Sequence, residues 1–168
     1  MNFCEGSLSC LLKTARKRPA VNYFMQHVGM GRDALGLRAY GEARGVRTFA
    51  YGAVGEPGPS AELLASETVK SIAAAHSRSA EEVALRWVVQ NGCAVSVRPT
   101  LEFGLGTSAC RDSASCGAGL RARASVFEWQ LSSSEMAALD EMTTPSGNPT
   151  LFSSTGCPDS FFAKWTTG

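Results

Sequence analysis

The chain has 168 residues, which is room for one domain of ordinary size with a buried core. Hydrophobic residues make up 44% and charged residues 18%, a globular composition that excludes an intrinsically disordered chain. Lys and Arg number 16 against 15 Asp and Glu, and this near-neutral balance argues against a dedicated binder of nucleic acid or anionic membranes.

The first predicted element is a helix that Ser7 caps, with apolar residues at helical spacing along one face. That face carries Leu8, Leu11, Leu12 and Ala15. Pro19 is expected to end the helix. Residues 20–26 follow and are rich in β-branched and aromatic side chains, which predicts the first strand.

A second helix is predicted from Asp33, as the cap, to Arg44, and Gly45 stops it. Its inward face is expected to carry Leu37, Tyr40 and Ala43. Residues 46–51 then read as the second strand, because they again combine β-branched and aromatic residues next to a glycine.

Two more helices are predicted before the third strand. Ser66 is a candidate cap for the first of them. Ser79 and Glu82 form a capping-box pattern that opens the second, in which Trp87 is expected to face the core. The third strand covers residues 94–98 and is stopped by a proline.

The remaining sequence is less regular. Residues 101–124 are rich in Gly, Ser and Cys and show no periodicity, which predicts an irregular insertion. Ser132 and Glu135 form another capping box, for a helix that runs to about residue 142. The tail, 143–168, is rich in Pro, Gly, Ser and Thr but carries aromatic residues, so we expect it to dock on another surface.

Strands that alternate with helices predict an α/β fold with a parallel sheet. Three strands make a thin sheet, and a parallel sheet is normally covered on both faces and has protected edges. Taken as a complete fold, the predicted sheet is therefore thin.

The cysteines and the amino terminus indicate the cellular compartment of the chain and whether it has a metal site. Residues 1–5 carry neither the basic nor the apolar region of a secretory signal, and no apolar run approaches the ~20 residues needed to cross a bilayer. The chain is therefore expected to be cytoplasmic, with its six cysteines reduced. No Cys-x-x-Cys pair occurs, so no metal site is predicted.

Several segments, in order, resemble the aldo-keto reductases. Asn2-Phe3 matches a Ser-Asn-Phe segment, and Pro-Ala-Val-Asn at 19–22 matches the start of a strand motif of that family. The glycine-bounded stretch 45–55, with its Ala-Tyr pair, matches the next strand. Val-Ala-Leu-Arg-Trp-Val-Val-Gln-Asn-Gly at 83–92 resembles a family helix closely, and 126–140 resembles the segment around the last core helix.

The resemblance implies a partial (β/α)8 barrel, covering about strands six to eight with their helices. It assigns 1–142 to the C-terminal half of the barrel, including the insertion, and 143–168 to an irregular tail. The family's reaction is hydride transfer between NADPH and a carbonyl compound, with a tyrosine as general acid. The catalytic Asp, Tyr, Lys and His come from the first half of the barrel, so no catalytic residue is predicted here.

What the resemblance leaves is the cofactor side of the site. It implies that Asn2 holds the nicotinamide carboxamide and that Tyr51 stacks on the nicotinamide ring. It also implies that Arg98 lies near the 2′-phosphate of NADP, where a fixed cation is suitable. His27 follows the sixth family strand and is expected to be structural.

The chain also departs from the family pattern at this site. Tyr23 stands where a carboxamide-binding glutamine belongs, and residues 52–54 replace a Ser-Pro-Leu that wraps the pyrophosphate. Pro99 interrupts the Lys-Ser pair, and residues 122–123 replace a Glu-Asn pair that recognises adenine. These departures concern the phosphate and adenine ends of the site.

Two functions stay open. One is an NADP-dependent oxidoreductase domain, inactive alone, that would take a small carbonyl substrate if the missing half completed it. The other is a non-enzymatic half-barrel, either a remnant or a module that binds a partner. Neither nucleic acid nor a membrane is expected as a partner.

Self-association is expected because cutting a barrel leaves two open strand edges, at 20–26 and 94–98. The exposed inner face is expected to carry Val21, Phe49 and Val95, or their alternating neighbours. Two copies could pair through these edges, or the aromatic tail could cover the open core of a marginal monomer.

Overall fold

A computed structural model of the chain describes residues 3–33, 36–55, 60–96 and 124–144. Within these ranges the helices are α1 (Glu5–Thr14), α2 (Leu37–Glu42), α3 (Ala61–Ala65), α4 (Glu67–Ala75), α5 (Ala80–Gln90) and α6 (Ser133–Asp140), with a 3-10 turn at Ser125–Phe127. The strands are β1 (Val21–Met25), β2 (Arg47–Tyr51) and β3 (Ala94–Val95). The interior of the predicted insertion and most of the predicted tail lie outside the described residues.

The three strands form one parallel sheet in the order β1-β2-β3, as the alternation of strands and helices predicted. Val21 pairs with Arg47 and Met25 with Tyr51, so β1 and β2 are in register over their full length. Phe49 pairs with Ala94 at the start of β3. Parallel pairing brings the carboxyl ends of β1 and β2 to the same edge of the sheet.

One face of the sheet is buried under helices. Asn22, Phe24, Thr48 and Ala50 alternate along β1 and β2 and are at most 4% exposed. Ala50 belongs to an apolar cluster that joins β2 to α3, α4, α5 and α6. Other members of this larger cluster are Leu63, Val69, Val88 and Leu139. Most of the hydrophobic stabilisation of the described fold arises here.

The opposite face is much less covered. Val21 is 48% exposed, its partner Arg47 is exposed, and Tyr23 and Phe49 are half-buried. Tyr23 and Phe49 belong to neither buried apolar cluster. The expected inner face is therefore found at Val21 and Phe49.

The placement of Val95 on that inner face was wrong. Val95 pairs with Ala50, so it lies on the helix-covered side and packs against the larger cluster. Because Phe49 pairs with Ala94, the residue of β3 that shares the inner face is Ala94, one position before Val95.

Helix α5 lies at the centre of the larger cluster. Its capping box forms as predicted, because the Ser79 hydroxyl accepts from the Glu82 N–H and the Glu82 carboxylate accepts from the Ser79 N–H. Trp87 is fully buried, as predicted, and its Nε1 donates to Asp140 Oδ1 over 2.8 Å. This bond joins α5 to α6.

Two polar side chains of α5 hold the segment that follows the insertion. Arg86, which is 8% exposed, donates from Nη1 to the Val126 carbonyl over 2.8 Å. Gln90 makes a two-way contact with Leu131, because its Nε2 donates to the carbonyl at 2.7 Å and its Oε1 accepts from the N–H at 3.0 Å. The Leu131 backbone is thereby satisfied although the residue is 3% exposed.

Several local predictions for the helices need correction. Helix α1 begins at Glu5, so Ser7 lies within its first turn, where its hydroxyl accepts from the Cys4 N–H. Helix α2 is shorter than predicted, although Asp33 does satisfy its first turn by accepting from the backbone N–H of Arg38 and Ala39. Helix α3, which begins after the Ser60 cap, was not predicted.

The predicted inward face of α2 was partly wrong. Leu37 is buried, but Ala43 is exposed and Tyr40 is half-buried beneath the Arg44 guanidinium, 3.5 Å from the ring centroid. Gly41 is the other buried residue of α2. A Cβ at this position would lie only 2.9 Å from the Val46 carbonyl oxygen. The close approach of α2 to the start of β2 thus requires a glycine.

Among the described cysteines, Cys10 and Cys93 are free thiols, and burial raises the pKa of Cys93 to about 11. Cys4 is disulfide-bonded. The prediction that every cysteine is reduced was therefore wrong at Cys4. No helix among the described residues is both long enough and apolar enough to cross a membrane.

We expect Gln90→Ala to lower the free energy of unfolding by about 1–3 kcal/mol, because it leaves the buried N–H and carbonyl of Leu131 without partners. The matched control is Gln130→Ala, which removes an exposed glutamine one residue before Leu131. Urea unfolding of both variants measures the difference. Equal midpoints would contradict the anchoring role of Gln90.

A pH-dependent contact joins α4 to α6. Nε2 of His76 lies 2.9 Å from Oε1 of Glu135, and the His76 ring packs on Trp129 with 4.9 Å between centroids. Burial alone would raise the pKa of the Glu135 carboxyl, but hydrogen bonds from Ser132 and His76 hold this pKa below its usual value. A carboxyl with a lowered folded-state pKa stabilises the fold above its unfolded pKa, and that stabilisation disappears as the pH falls.

We therefore expect Glu135→Gln to destabilise the protein at neutral pH and to have a smaller effect as the pH falls toward about 3. Glutamine keeps the capping geometry of the helix, so the comparison isolates the charge. Thermal melts across this pH range test the expectation, with the exposed Glu141→Gln at the other end of α6 as control. A deficit that stays constant with pH would refute the assignment.

Candidate functional site

The described part of the predicted site is the carboxyl edge of β1 and β2. Tyr51 is the last residue of β2 and is half-buried. Its ring lies 5.0 Å from that of Tyr23, and the two planes are inclined by 55°. Tyr23 also contacts Phe49, with 5.3 Å between ring centroids. We call Tyr23, Phe49 and Tyr51 the aromatic cluster.

The base of this edge is closed by a small apolar cluster of Cys4, Phe24, Met25 and Leu37. Tyr51 packs against it. The start of α1 and the start of α2 therefore both meet the carboxyl ends of the strands, which fixes one side of the Tyr51 ring. Aromatic rings held this way can present a face to a flat ligand.

The other two predicted cofactor residues, Asn2 and Arg98, lie outside the described residues. The chain next to Asn2 is fixed, because the Asn22 side chain accepts from the Phe3 N–H at 3.2 Å and donates to the Phe3 carbonyl at 2.7 Å. Near Arg98, the Ser96 N–H donates to the Ala50 carbonyl over 2.8 Å, which extends the sheet beyond β3. The assignment of Asn2, Tyr51 and Arg98 to one site remains a prediction.

The residues directly after Tyr51 form a tight turn. The Gly55 N–H donates to the Gly52 carbonyl over 2.7 Å, and both glycines have positive φ, at 63° and 101° for Gly52 and Gly55. Ala53 within the turn is buried in the larger cluster. This turn occupies the position where the resemblance places a pyrophosphate-wrapping segment.

His27 follows β1 and is structural in character, as expected. It is 2% exposed, and its Nδ1 donates to the Val28 carbonyl over 2.7 Å. Burial lowers the pKa of its imidazole below the ordinary value, against the opposing effect of that hydrogen bond. A neutral, buried imidazole that bonds to its neighbour's backbone does not need a ligand to explain it.

The geometry defines what this edge can do chemically. It offers aromatic faces for stacking, and Tyr23 brings a ring to the position where the resemblance calls for an amide. The sequence comparison identified Tyr23 as a departure from the family pattern. It did not predict the contact of Tyr23 with Tyr51, which follows from the β1–β2 register. In the described ranges, no group of three or more His, Cys, Asp or Glu residues could hold a metal ion.

Comparison with characterised proteins identifies the relatives of the chain. It is 28% identical over 145 residues to the (1S)-1,7-diacetoxy-luvungin A aldo-keto reductase of Citrus sinensis, covering 84% of this chain and 40% of that protein. It is 26% identical over 144 residues to NADPH-dependent codeinone reductase 1-1 of Papaver somniferum, with the same coverage of 84% and 40%. It is 30% identical over 155 residues to morphine 6-dehydrogenase of Pseudomonas putida, covering 85% and 46%. No family model matches the chain.

Solved structures agree on the fold. An aldo-keto reductase from a Medee basin deep-sea metagenome library, MGS-M4, superposes with a TM-score of 0.68 at 22% identity, covering 84% of this chain and 46% of that one. The aldose reductase of Schistosoma japonicum gives a TM-score of 0.64 at 24% identity, covering 84% and 40%. At this identity the likeness concerns the fold, which is a barrel of alternating strands and helices.

Sequence and fold therefore confirm the resemblance to the aldo-keto reductases, at low identity and over about 84% of the chain. The chain spans about 40–46% of the length of these relatives. Its three-stranded parallel sheet with helices on one face is consistent with part of their barrel.

Proposed function

We propose that this chain is the cofactor-side part of an NADP-dependent aldo-keto reductase, which transfers hydride between NADPH and a carbonyl compound. The observation that supports it most is the position of Tyr51, half-buried at the carboxyl end of a parallel strand. In (β/α)8 barrels the active site lies at the carboxyl ends of the strands. The NADPH-dependent relatives agree with this choice of cofactor.

In this proposal NADPH would supply the hydride when bound, and the residues of the chain would position it. Tyr51 stacks on the nicotinamide ring, which needs a flat apolar surface. Asn2 holds the carboxamide, because an amide side chain both donates and accepts hydrogen bonds. Arg98 pairs with the 2′-phosphate, for which a guanidinium is well suited.

The described residues fit part of this role. Tyr51 fits the stacking contact, since its ring is held by the small apolar cluster. Tyr23 does not fit the carboxamide contact, because a phenol hydroxyl offers one donor where an amide offers two donors and a separate acceptor. The proposal therefore includes a weak affinity for the cofactor.

The proposal also includes inactivity of this chain alone. The resemblance assigns the proton donor and its partners to the other half of the family barrel, and no residue of this chain matches them. The carbonyl substrate would need both halves, because the hydride donor and the general acid must act on the same carbon–oxygen bond.

A non-enzymatic half-barrel is the second candidate. The observation that favours it is the half-buried aromatic face formed by Tyr23 and Phe49, which no described helix covers. Apolar faces of this kind occur where proteins bind partners. In this case the chain would bind a partner without turning over a substrate.

A cytoplasmic location is part of the proposal. The Cys4 disulfide weighs against it, because reducing compartments keep thiols free. Expression of the protein in a reducing and in an oxidising compartment, followed by thiol labelling of Cys4, shows in which of them the disulfide forms.

We expect the purified chain to show no NADPH-dependent reduction of a generic aldehyde, since it lacks the general acid. Absorbance of NADPH over time measures the rate against buffer. Turnover above the buffer rate that disappears in Tyr51→Ala would refute the inactivity.

We expect the chain to bind NADP more tightly than NAD, and Arg98→Ala to remove that preference. Tyr51→Ala should weaken NADPH binding by about three- to tenfold, because an aromatic stacking contact contributes ~0.5–1.5 kcal/mol. Tyr51→Phe is the matched control, since it keeps the ring. Titration with the fluorescent reduced cofactors, NADPH and NADH, measures the affinities of the unaltered chain and of the three variants. Equal affinity for NADP and NAD would remove Arg98 from the site. An equal loss of affinity in both Tyr51 variants would show that the ring does not stack on the cofactor.

We also propose that two copies associate through the open sheet. Among the described strands, β1 and β3 each have a neighbour on one side, and Val21 on β1 is 48% exposed. Such edges and faces are templates for pairing with another chain.

Sedimentation velocity over a range of concentrations tests this association. Val21→Lys should weaken the dimer by about tenfold or more, because a charge on an exposed edge opposes pairing. The matched control is Phe127→Lys, which changes the other exposed large hydrophobic residue of the described chain, at 70% exposure. A monodisperse monomer at every concentration would exclude the dimer.

A further inference from the structure

The charge of the chain is distributed unevenly. The first 50 residues carry eight Lys and Arg against three Asp and Glu, while the whole chain has a formal net charge of +1. The near-neutral total therefore hides a basic amino-terminal part and an acidic remainder. Such asymmetry is typical of chains that bind a polyanion through one region.

Six exposed cations of this part lie around the amino ends of β1 and β2, and we call them the basic rim. They are Lys13, Arg16, Lys17, Arg18, Arg44 and Arg47. Lys13 is in the last turn of α1, residues 16–18 form the loop between α1 and β1, and Arg47 is the first residue of β2.

Backbone and side-chain contacts bring the two halves of the rim together. The Arg47 N–H donates to the Ala20 carbonyl over 2.9 Å, and Arg47 is the register partner of Val21. The Arg18 guanidinium lies 3.0–3.3 Å from the point that a Cβ on Gly45 would occupy. Arg18 thus covers the turn that connects Arg44 to Arg47.

Helix ends explain two of the six cations. Lys13 faces the carbonyl end of α1, where a cation is favourable, and Arg44 donates to the Tyr40 carbonyl over 3.0 Å while stacking on its ring. Among the described residues, the other four have no such local role. Arg16, Lys17, Arg18 and Arg47 form no ion pair with any described residue.

Glu42, an acid of the same part of the chain, is already engaged. Glu42 forms an ion pair with Arg38 at 3.2 Å, and its carboxylate lies on α2. The positive potential of the rim is therefore not cancelled by a described neighbour. Clustered positive charges raise the local concentration of anionic ligands.

We propose that the basic rim binds the phosphodiester backbone of a nucleic acid duplex, without reading its sequence. Four of the six cations are arginines, whose planar guanidinium matches phosphate oxygens in a bidentate way. The described loops of the rim, 15–20 and 43–46, contain no aromatic residue for stacking on bases, and the Arg44 guanidinium covers Tyr40. Charge, and not base contact, therefore carries the binding.

An anionic membrane fits the rim less well. Surface-bound segments need an apolar face that enters the lipid as well as cations. Within the described residues, Val21 is the one exposed large hydrophobic residue near the rim, and Phe127, the other, lies in the 3-10 turn. The rim thus has the charge for an anionic surface without the apolar area for a bilayer.

The rim is separate from the proposed cofactor edge. Arg47 and Tyr51 are the first and last residues of β2, about 13 Å apart along an extended strand. Failure of one proposal therefore leaves the other unaffected.

The test is fluorescence anisotropy of the full chain with a labelled DNA duplex of about 20 base pairs, over a series of salt concentrations from about 50 mM. The variant pair Arg16→Ala with Arg47→Ala removes two rim charges. The matched control pair, Arg32→Ala with Lys70→Ala, removes two exposed charges outside the rim and leaves the same net charge. Circular dichroism of each protein establishes that all are folded.

We expect the rim pair to weaken duplex binding by about tenfold or more at the lowest salt and to reduce the salt slope by about two. The control pair should change the affinity less than about twofold. No binding at low salt, or equal losses in both pairs, would overturn the proposal. Vesicles of mixed neutral and anionic lipids form the second arm, and binding to them as tightly as to the duplex, lost in the rim pair, would assign the rim to a lipid surface instead.

Discussion

The structure depends on the requirement that a parallel sheet be covered on both faces. Helices α3 to α6 cover one face through Ala50 and the larger cluster. The other face carries Val21, Tyr23 and Phe49 and meets no described helix. In a closed barrel that second face is the filled interior. Its partial exposure here is the observation on which the proposed association rests.

The two ends of the same strands have different chemistry. At the carboxyl edge, Tyr51 and Tyr23 offer stacked rings held by the small apolar cluster. At the amino edge, Arg18 and Arg47 offer charge without apolar cover. A ring-binding edge suits a cofactor and a cationic edge suits a polyanion, so a single short sheet can support two independent binding roles.

Sequence predicted the elements whose signals are local. The capping boxes at Ser79 and Ser132 locate α5 and α6, because each is a pair of side chains that bond to nearby backbone. Features that depend on tertiary contact were not predictable in the same way. The need for a glycine at position 41 follows from the close approach of α2 to Val46, and the Tyr23–Tyr51 contact follows from a strand register that no local pattern encodes. Of the predicted cofactor residues, Tyr51 alone falls within the described ranges, so the site rests on its position and on the family resemblance.

The most direct test of the account is the affinity of Tyr23→Gln for NADPH, measured by titration of cofactor fluorescence beside the unaltered chain. Glutamine restores the amide that the resemblance places next to Tyr51, so the account predicts tighter binding, and Tyr40→Gln on α2 should leave the affinity unchanged. Weaker or unchanged binding by a folded Tyr23→Gln protein would contradict the assignment of this edge to the cofactor.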